Sequence, residues 1–267
     1  MDLQSSPDGF KAMNVTAIQR CAGERTQHTY LDVIAEQVQV VQLQAGDLYS
    51  TTLKLLEMIA TQDDGWTLVV DGDVRLYPGC VDRIQGVLES LDDRYYQARF
   101  LLDDRFFRRP IFGLHAHRNK FAISALNWML RNGKNGIRSE SKNIKRFIRS
   151  QNLQTWSENL VVGNHDFEQY YRDIASKFIF KAAKYRDRLL SIVSRLLPNI
   201  QERDVRVALK ALLCGISTGD LPGYCRLKLP DSLLQIIVPY EEKSDVCGDL
   251  PLCHEDLVRQ DTPLLYP

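Results

Sequence analysis

Trp66-Thr67-Leu68-Val69-Val70-Asp71-Gly72-Asp73-Val74 is the stretch on which the reading of this chain turns. Trp66–Val70 is a short apolar run rich in β-forming residues. That is the pattern of a strand buried on both faces in a parallel sheet. It stops at two carboxylates flanking a glycine. Upstream, Met13–Cys21 reads as a strand and 25–36 as a helix, and Gln37–Leu43 alternates as a second strand. Asp47 or Ser50 can cap a helix carrying Tyr49, Leu53, Leu56, Ile59 and Ala60 on one face. After Asp73 a helix follows, with Val81, Ile84, Val87, Leu88 and Leu91 as its buried stripe. The order β-α-β-α-β-(Asp-Gly-Asp)-α predicts an α/β domain built on a mostly parallel sheet. In such sheets ligands bind at the carboxyl ends of the strands, where Asp71 and Asp73 fall.

Composition narrows the class. The 267 residues carry 34 Lys+Arg against 34 Asp+Glu, for zero formal net charge, with 44% hydrophobic residues. A disordered chain, a collagen-like repeat and a dedicated nucleic-acid binder are each argued against by these values. No apolar stretch approaches the roughly 18 residues that span a bilayer, and 1–11 lacks the pattern of a signal peptide. Six scattered cysteines suit reduced thiols, hence a cytoplasmic expectation. Cys247, Cys253 and His254 do not match a usual zinc spacing.

The middle of the chain is more mixed. Arg99–Leu102 and Ile111–His115 are candidate strands, and Asn119–Leu130 a helix. Residues 131–149 hold seven basic residues and one acidic, and two glycines suggest a mobile loop able to steer an anionic acceptor. Asn159–Gly163 is a strand ending at His165. Asp166–Ser194 then predicts one long amphipathic helix. Arg203–Leu213 offers one more helix, and a proline-containing tail with seven acidic and two basic residues from Tyr240 closes the chain. The expected organisation is a lead-in over 1–12, a catalytic domain over 13–195, and a helical, irregular extension over 196–267.

Two carboxylates one residue apart beyond a buried strand are costly without a partner. A hard divalent cation, Mg2+ or Mn2+, takes oxygen ligands and bridges to nucleotide phosphates. Gly72 lets backbone approach a ligand. His115 and His117, one residue apart, would share a face if they lie on a strand, and could bind a metal or contact a sugar. Asp103, Asp104 and Glu158 lie in segments able to line an acceptor cleft.

WTLVVDGDV resembles the metal-binding DxD element of nucleotide-sugar glycosyltransferases with the GT-A fold. A second phrase, Gly163-Asn164-His165-Asp166-Phe167-Glu168-Gln169-Tyr170-Tyr171-Arg172-Asp173, is similar to a GxHDxEQYYxD stretch of bacterial family-2-like members. The resemblance spans roughly 13–190. It implies a GT-A-like, Rossmann-like sheet flanked by helices, and transfer of a sugar from a nucleoside-diphosphate sugar. The acceptor would be a glycan or a lipid-linked or cell-surface polysaccharide, with peripheral contact at the inner membrane face. It implies that Asp73 ligates the metal directly and that Asp71, also at the metal, holds the ribose or a metal-bound water. His165 would be a further ligand. Arg20, Glu24 and Arg25 would contact the nucleotide. An inverting enzyme also needs a general base, for which Asp104 and Glu158 are the candidates. Two other readings stay open. One is a haloacid-dehalogenase-type phosphatase with Asp71 as nucleophile and Asp73 as acid/base. The other is a catalytically inactive binding subunit with the same fold.

Overall fold

The computed structural model describes residues 14–21, 24, 39–44, 47–134, 139–166, 169–217 and 231–243. The expected lead-in, the helix over 25–36, Arg25, and Cys247, Cys253 and His254 with most of the acidic tail lie outside these residues. Among the described residues seven strands form one sheet: β1 Asn14–Cys21, β2 Val40–Gln44, β3 Gly65–Asp71, β4 Val74–Leu76, β5 Tyr95–Asp104, β6 Arg109–Arg118 and β7 Gln154–His165. Their spatial order is β2-β1-β3-β6-β5-β7-β4. The β2-β1-β3 group is parallel, as the sequence pattern requires, and β5 runs parallel to β7. The β5–β6 hairpin and the β4–β7 pair are antiparallel. The chain is therefore an α/β protein with a seven-stranded mixed sheet flanked by helices.

Strand β3 is an interior strand of this sheet, between β1 and β6, and its alternation divides the core. Trp66, Leu68 and Val70 face one layer with Ala17, where α2 (Cys80–Glu89) packs through Val81, Ile84 and Leu88. Val69 faces the other with Ile18, where α1 (Leu48–Ala60), α3 (Ala122–Asn132) and α4 (Ser139–Ser150) pack. A fully buried aliphatic such as Leu68 contributes about 1.5–3 kcal/mol. Asp47 caps α1, accepting from Tyr49 N and Ser50 N at 3.1 and 3.2 Å.

A third core lies among α5 (Tyr171–Lys184), α6 (Leu189–Leu196), α7 (Arg203–Ser217) and α8 (Asp231–Ile237). Phe106, from the β5–β6 turn, is inserted into it, with its ring 4.9 Å from that of Phe178. This core runs across residue 195, the expected domain junction.

Three expectations are corrected. The mobile loop over 131–149 is helical from Ser139, because Ile144, Phe147 and Ile148 recur at helical spacing and are buried. Lys142, Lys145, Arg146 and Arg149 take the exposed side of α4. The single helix over Asp166–Ser194 is instead α5, a 3-10 turn at Arg186–Arg188, and α6. Its break falls at Tyr185, where the backbone leaves the helical region ahead of three charged residues with nothing to bury. Finally, β4 intervenes between Asp73 and α2. Three residues are too few to announce a strand by periodicity.

Candidate functional site

The site begins where β1 and β3 end. From β1 the chain crosses to β2 on one side, and β3 then joins on the other. In open α/β sheets this reversal leaves a crevice at the carboxyl ends of the two strands, where ligands bind. Arg20 and Asp71 are register partners there. Arg20 Nε and Nη2 both approach Asp71 Oδ1, at 2.7 and 2.6 Å. The backbone continues the pairing, with Gly72 N donating to Arg20 O at 2.8 Å. A Cβ on Gly72 would collide with the Glu24 carboxylate, so glycine is what allows this close approach. Arg20, Glu24 and Asp71 are thus gathered at one rim. Burial, with the charges of Glu24 and Asp71, pushes the neighbouring Cys21 thiol up to about 11, which keeps it protonated.

Asp73 belongs to a second group. Val74 of β4 pairs with His165 of β7, and Asp166 N donates to Asp73 O at 3.0 Å. This short ladder carries Asp73 to His165 and Asp166. One ligand atom from each of the three lies within 4.8 Å of the others. Gly163 is required for the ladder, because a Cβ there would meet the backbone carbonyl of Arg75. Asp166 is held at φ 63°, in the left-handed region that aspartate tolerates better than most residues.

Strand alternation sorts the carboxylates of β5. Asp104 pairs in register with His165 and shares its face; Asp103 pairs with Asn164 on the opposite face. Asp104 is 2% exposed. Its Oδ1 accepts from Phe106 N at 3.0 Å and Phe107 N at 2.8 Å, while Oδ2 is 3.1 Å from His165 Nδ1. With Nδ1 engaged, Nε2 is the nitrogen left towards Asp73, 3.7 Å from Oδ2. Asp103 Oδ2 and Asn164 Oδ1 instead lie 3.0 and 2.8 Å from the Tyr77 hydroxyl, which can donate to either. Burial raises the Asp103 carboxyl, against the lowering by that hydroxyl.

Helix α5 supplies the counter-charges. Lys177 Nζ donates to Asp73 Oδ2 at 2.6 Å and also to Asp166 Oδ1. One turn on, Lys181 Nζ is 3.9 Å from Asp166 Oδ2 and lies 4.6 Å from the centres of the Phe107 and Phe178 rings. Burial pulls the His165 imidazole down, but Asp166 and Asp73, with the Asp104 hydrogen bond, outweigh burial and the Lys177 charge and raise it to about 9. Burial acts to raise Asp104 and Asp166. The His165 hydrogen bond and Lys181 hold Asp104 well below the ordinary range, and His165, Lys177 and Lys181 lower Asp166. Asp73 Oδ1 and Asp166 Oδ2 remain buried without a hydrogen-bond partner among the described residues.

Two hard carboxylates and one imidazole nitrogen suit Mn2+ or Mg2+ with further oxygens from a ligand, and each of the two carboxylates still has one oxygen without a hydrogen-bond partner among the described residues. Of the three expected metal ligands, Asp73 and His165 are in this group and Asp71 is not. Asp71 is at the rim with Arg20, and Arg25 is outside the described residues. Glu158 lies in an irregular stretch of β7: Ser157 pairs with Arg99 and His165 with Asp104, so about five residues of extended β5 at about 3.3 Å each put Glu158 roughly 15 Å from His165. Its carboxylate is engaged locally by Trp156 Nε1 and Asn159 N, both at 3.0 Å. Asp166, Lys177 and Lys181 were not singled out from sequence. The signal was the lysine pair at i, i+4, either side of Phe178 on an otherwise apolar helix face.

His115 and His117 do lie on one strand, but neither is in the metal-competent group. His117 is buried against Tyr96, with ring centres 5.3 Å apart. Burial, aided by Arg20, lowers its imidazole from 6.5 to about 4. The unfolded chain therefore binds a proton below pH 6.5 that the folded chain refuses until about pH 4. Stability falls as pH drops through that window, by about 2 kcal/mol between pH 7 and 5. Urea unfolding at the two pH values should show a smaller loss for His117→Gln than for the parent. Equal losses would remove His117 as the cause.

No family model matches the chain, and no curated protein matches it. Solved structures similar to it include a glycosyltransferase involved in glycosylation of the PBCV-1 major capsid, at 12% identity and a TM-score of 0.40. That match covers 55% of this chain and 81% of the other. A 4-diphosphocytidyl-2C-methyl-D-erythritol synthase from Anaerococcus prevotii aligns at 9% identity and TM-score 0.42, covering 60% and 93%. A cytidylyltransferase from Leptospira borgpetersenii aligns at 12% identity and TM-score 0.35, covering 64% and 86%. Among the described residues no helix is long and apolar enough to cross a membrane.

Proposed function

We propose that the chain is a metal-dependent glycosyltransferase that takes its sugar from a nucleoside-diphosphate donor. The observation that carries this reading is the pair of adjacent groups at one end of the sheet. Arg20, Glu24 and Asp71 rim the β1/β3 crevice, and Asp73, His165 and Asp166 stand beside it. One residue separates Asp71 from Asp73, so a nucleotide at the rim places its phosphates by the second group.

Asp73, His165 and Asp166 would hold the cation, which when bound supplies neutralisation of charge on a departing diphosphate. Arg20 offers guanidinium donors to phosphate oxygens or a flat surface to a base. Asp71, oriented by Arg20, is suited to accept from a ribose hydroxyl. Asp104 is given a positioning role here: it fixes His165 with Nε2 facing Asp73, as carboxylates behind metal-binding histidines do. None of the groups gathered at this end of the sheet is assigned as the general base, and Glu158 stands too far along β7 to reach an acceptor there. The acceptor is proposed to be a glycan or lipid-linked saccharide.

Thermal unfolding with Mn2+ against UDP, GDP, CDP, dTDP and the matching triphosphates tests this. Stabilisation by one diphosphate that disappears in EDTA is the expected result. Stabilisation by a triphosphate alone would move the reading to nucleotidyl transfer. A covalent aspartyl-phosphate on Asp71 would favour the phosphatase, and no response to any nucleotide would sink the enzyme reading in favour of a binding subunit.

A further inference from the structure

We propose that Lys177 is a built-in competitor for the metal: its ammonium holds the carboxylate oxygens a divalent cation needs, and loading requires that it swing away. This rests on the metal-site reading above.

The geometry is specific. Of the Asp73 oxygens, Oδ2 is the one 3.7 Å from His165 Nε2, the nitrogen available to a metal. That same Oδ2 receives the Lys177 ammonium at 2.6 Å, and the ammonium also bonds Asp166 Oδ1. A cation shared by Asp73, His165 and Asp166 would need metal–oxygen distances of about 2.0–2.2 Å. Its charge would then stand a few ångströms from the ammonium, in a site where Asp73, Asp166 and Lys177 are 13%, 0% and 20% exposed. Two cations that close, in a medium of low dielectric, repel strongly. One must leave.

Lys177 is able to do so. Its side chain is the flexible four-carbon stem of lysine and keeps a path to solvent. Lys181, by contrast, lies over the Phe107 and Phe178 rings and reaches Asp166 only at 3.9 Å. The α5 backbone is fixed by the third core, so the exchange is a side-chain event. With no metal present, Lys177 keeps two buried carboxylates paired, which otherwise would repel each other across the β4–β7 ladder. The metal-free protein is thus stable, and selective for ions able to outcompete an internal ammonium. A displaced Lys177 stays tethered beside the site, free to meet a phosphate oxygen.

The test is Mn2+ titration of the full chain, read by the electron paramagnetic resonance signal of free Mn2+. It compares the parent with Lys177→Met, Lys177→Gln and Lys177→Arg, and adds thermal unfolding in EDTA and in excess Mn2+. Lys177→Met and Lys177→Gln should bind Mn2+ about tenfold tighter or more. Both should unfold earlier than the parent in EDTA and recover more stability on Mn2+ addition. Lys177→Arg should not gain affinity. A variant that merely lost packing would be destabilised with and without Mn2+ alike. Parent and variants binding Mn2+ equally, or the variants more weakly, overturns the competition. Binding by the variants and not by the parent supports it in its strongest form. If none binds Mn2+, the metal reading itself falls and the competition with it.

Discussion

Asp73→Asn should lose the Mn2+-dependent response to a nucleoside diphosphate and reduce transfer by about a thousandfold, the equivalent of several kcal/mol of transition-state stabilisation. Asparagine keeps the size of the side chain and an oxygen for Lys177, so the fold is expected to survive. What is lost is a negative ligand at the meeting point of the β3 end and β7. The informative partner is Asp71→Asn. Asp71 is turned to Arg20 and lies outside the Asp73–His165–Asp166 group. That variant should retain Mn2+ affinity and weaken only the nucleotide. Calorimetric titration with Mn2+ and then with nucleotide separates the two. If Asp71→Asn abolishes metal binding and Asp73→Asn does not, the ligand assignment is reversed.

Gly163→Ala should be strongly destabilising for so small a substitution. The added Cβ would meet the Arg75 carbonyl oxygen, with Arg75 C and Leu76 Cα each at 3.0 Å, and all three are backbone. No side chain can rotate to make room, so β4 must move off β7. Overpacking of this kind costs about 1–3 kcal/mol. Because the same ladder carries Asp73 to His165, Mn2+ affinity should fall together with the urea midpoint. Gly86→Ala is the contrast. Gly86 is inside α2 with nothing within 4 Å of an added Cβ, so alanine should stabilise by about 0.5–1 kcal/mol. An unchanged midpoint for Gly163→Ala would mean that the β4–β7 contact is not tight in solution.

The parallel half of the sheet was legible because its strands are buried on both faces and write that into their composition, as WTLVV does. The α1 cap was legible because Asp47 is a local signal. The hairpin was read short: β5 and β6 carry polar residues on their outer positions, and Asp103, Asp104 and Arg109 look like loop by composition. Helix α4 was hidden by its charge, since the three apolar residues that bury it are outnumbered by lysines and arginines. For the site, Asp73 stood out by type and position, and His165 through the family resemblance of its phrase. Asp166, Lys177 and Lys181 did not, because their roles depend on distances between elements. Asp104 was noticed as a carboxylate, but which atoms occupy it follows only from the register of β5 against β7.

The β4–β7 ladder joins Val74 to His165 across about 90 residues of chain, and it is the closure that completes the cluster. Synthesis proceeds from the N-terminus, so β1, β2, β3 and α1 emerge while β7 and α5 do not yet exist. A nascent chain of that length contains both Arg20 and Asp71, but its Asp73 has neither His165 nor Lys177 to meet. Assembly of the cluster is therefore a late event in folding. A cation would find its ligands only on the finished protein, and would act on the closed ladder as a latch that slows its reopening.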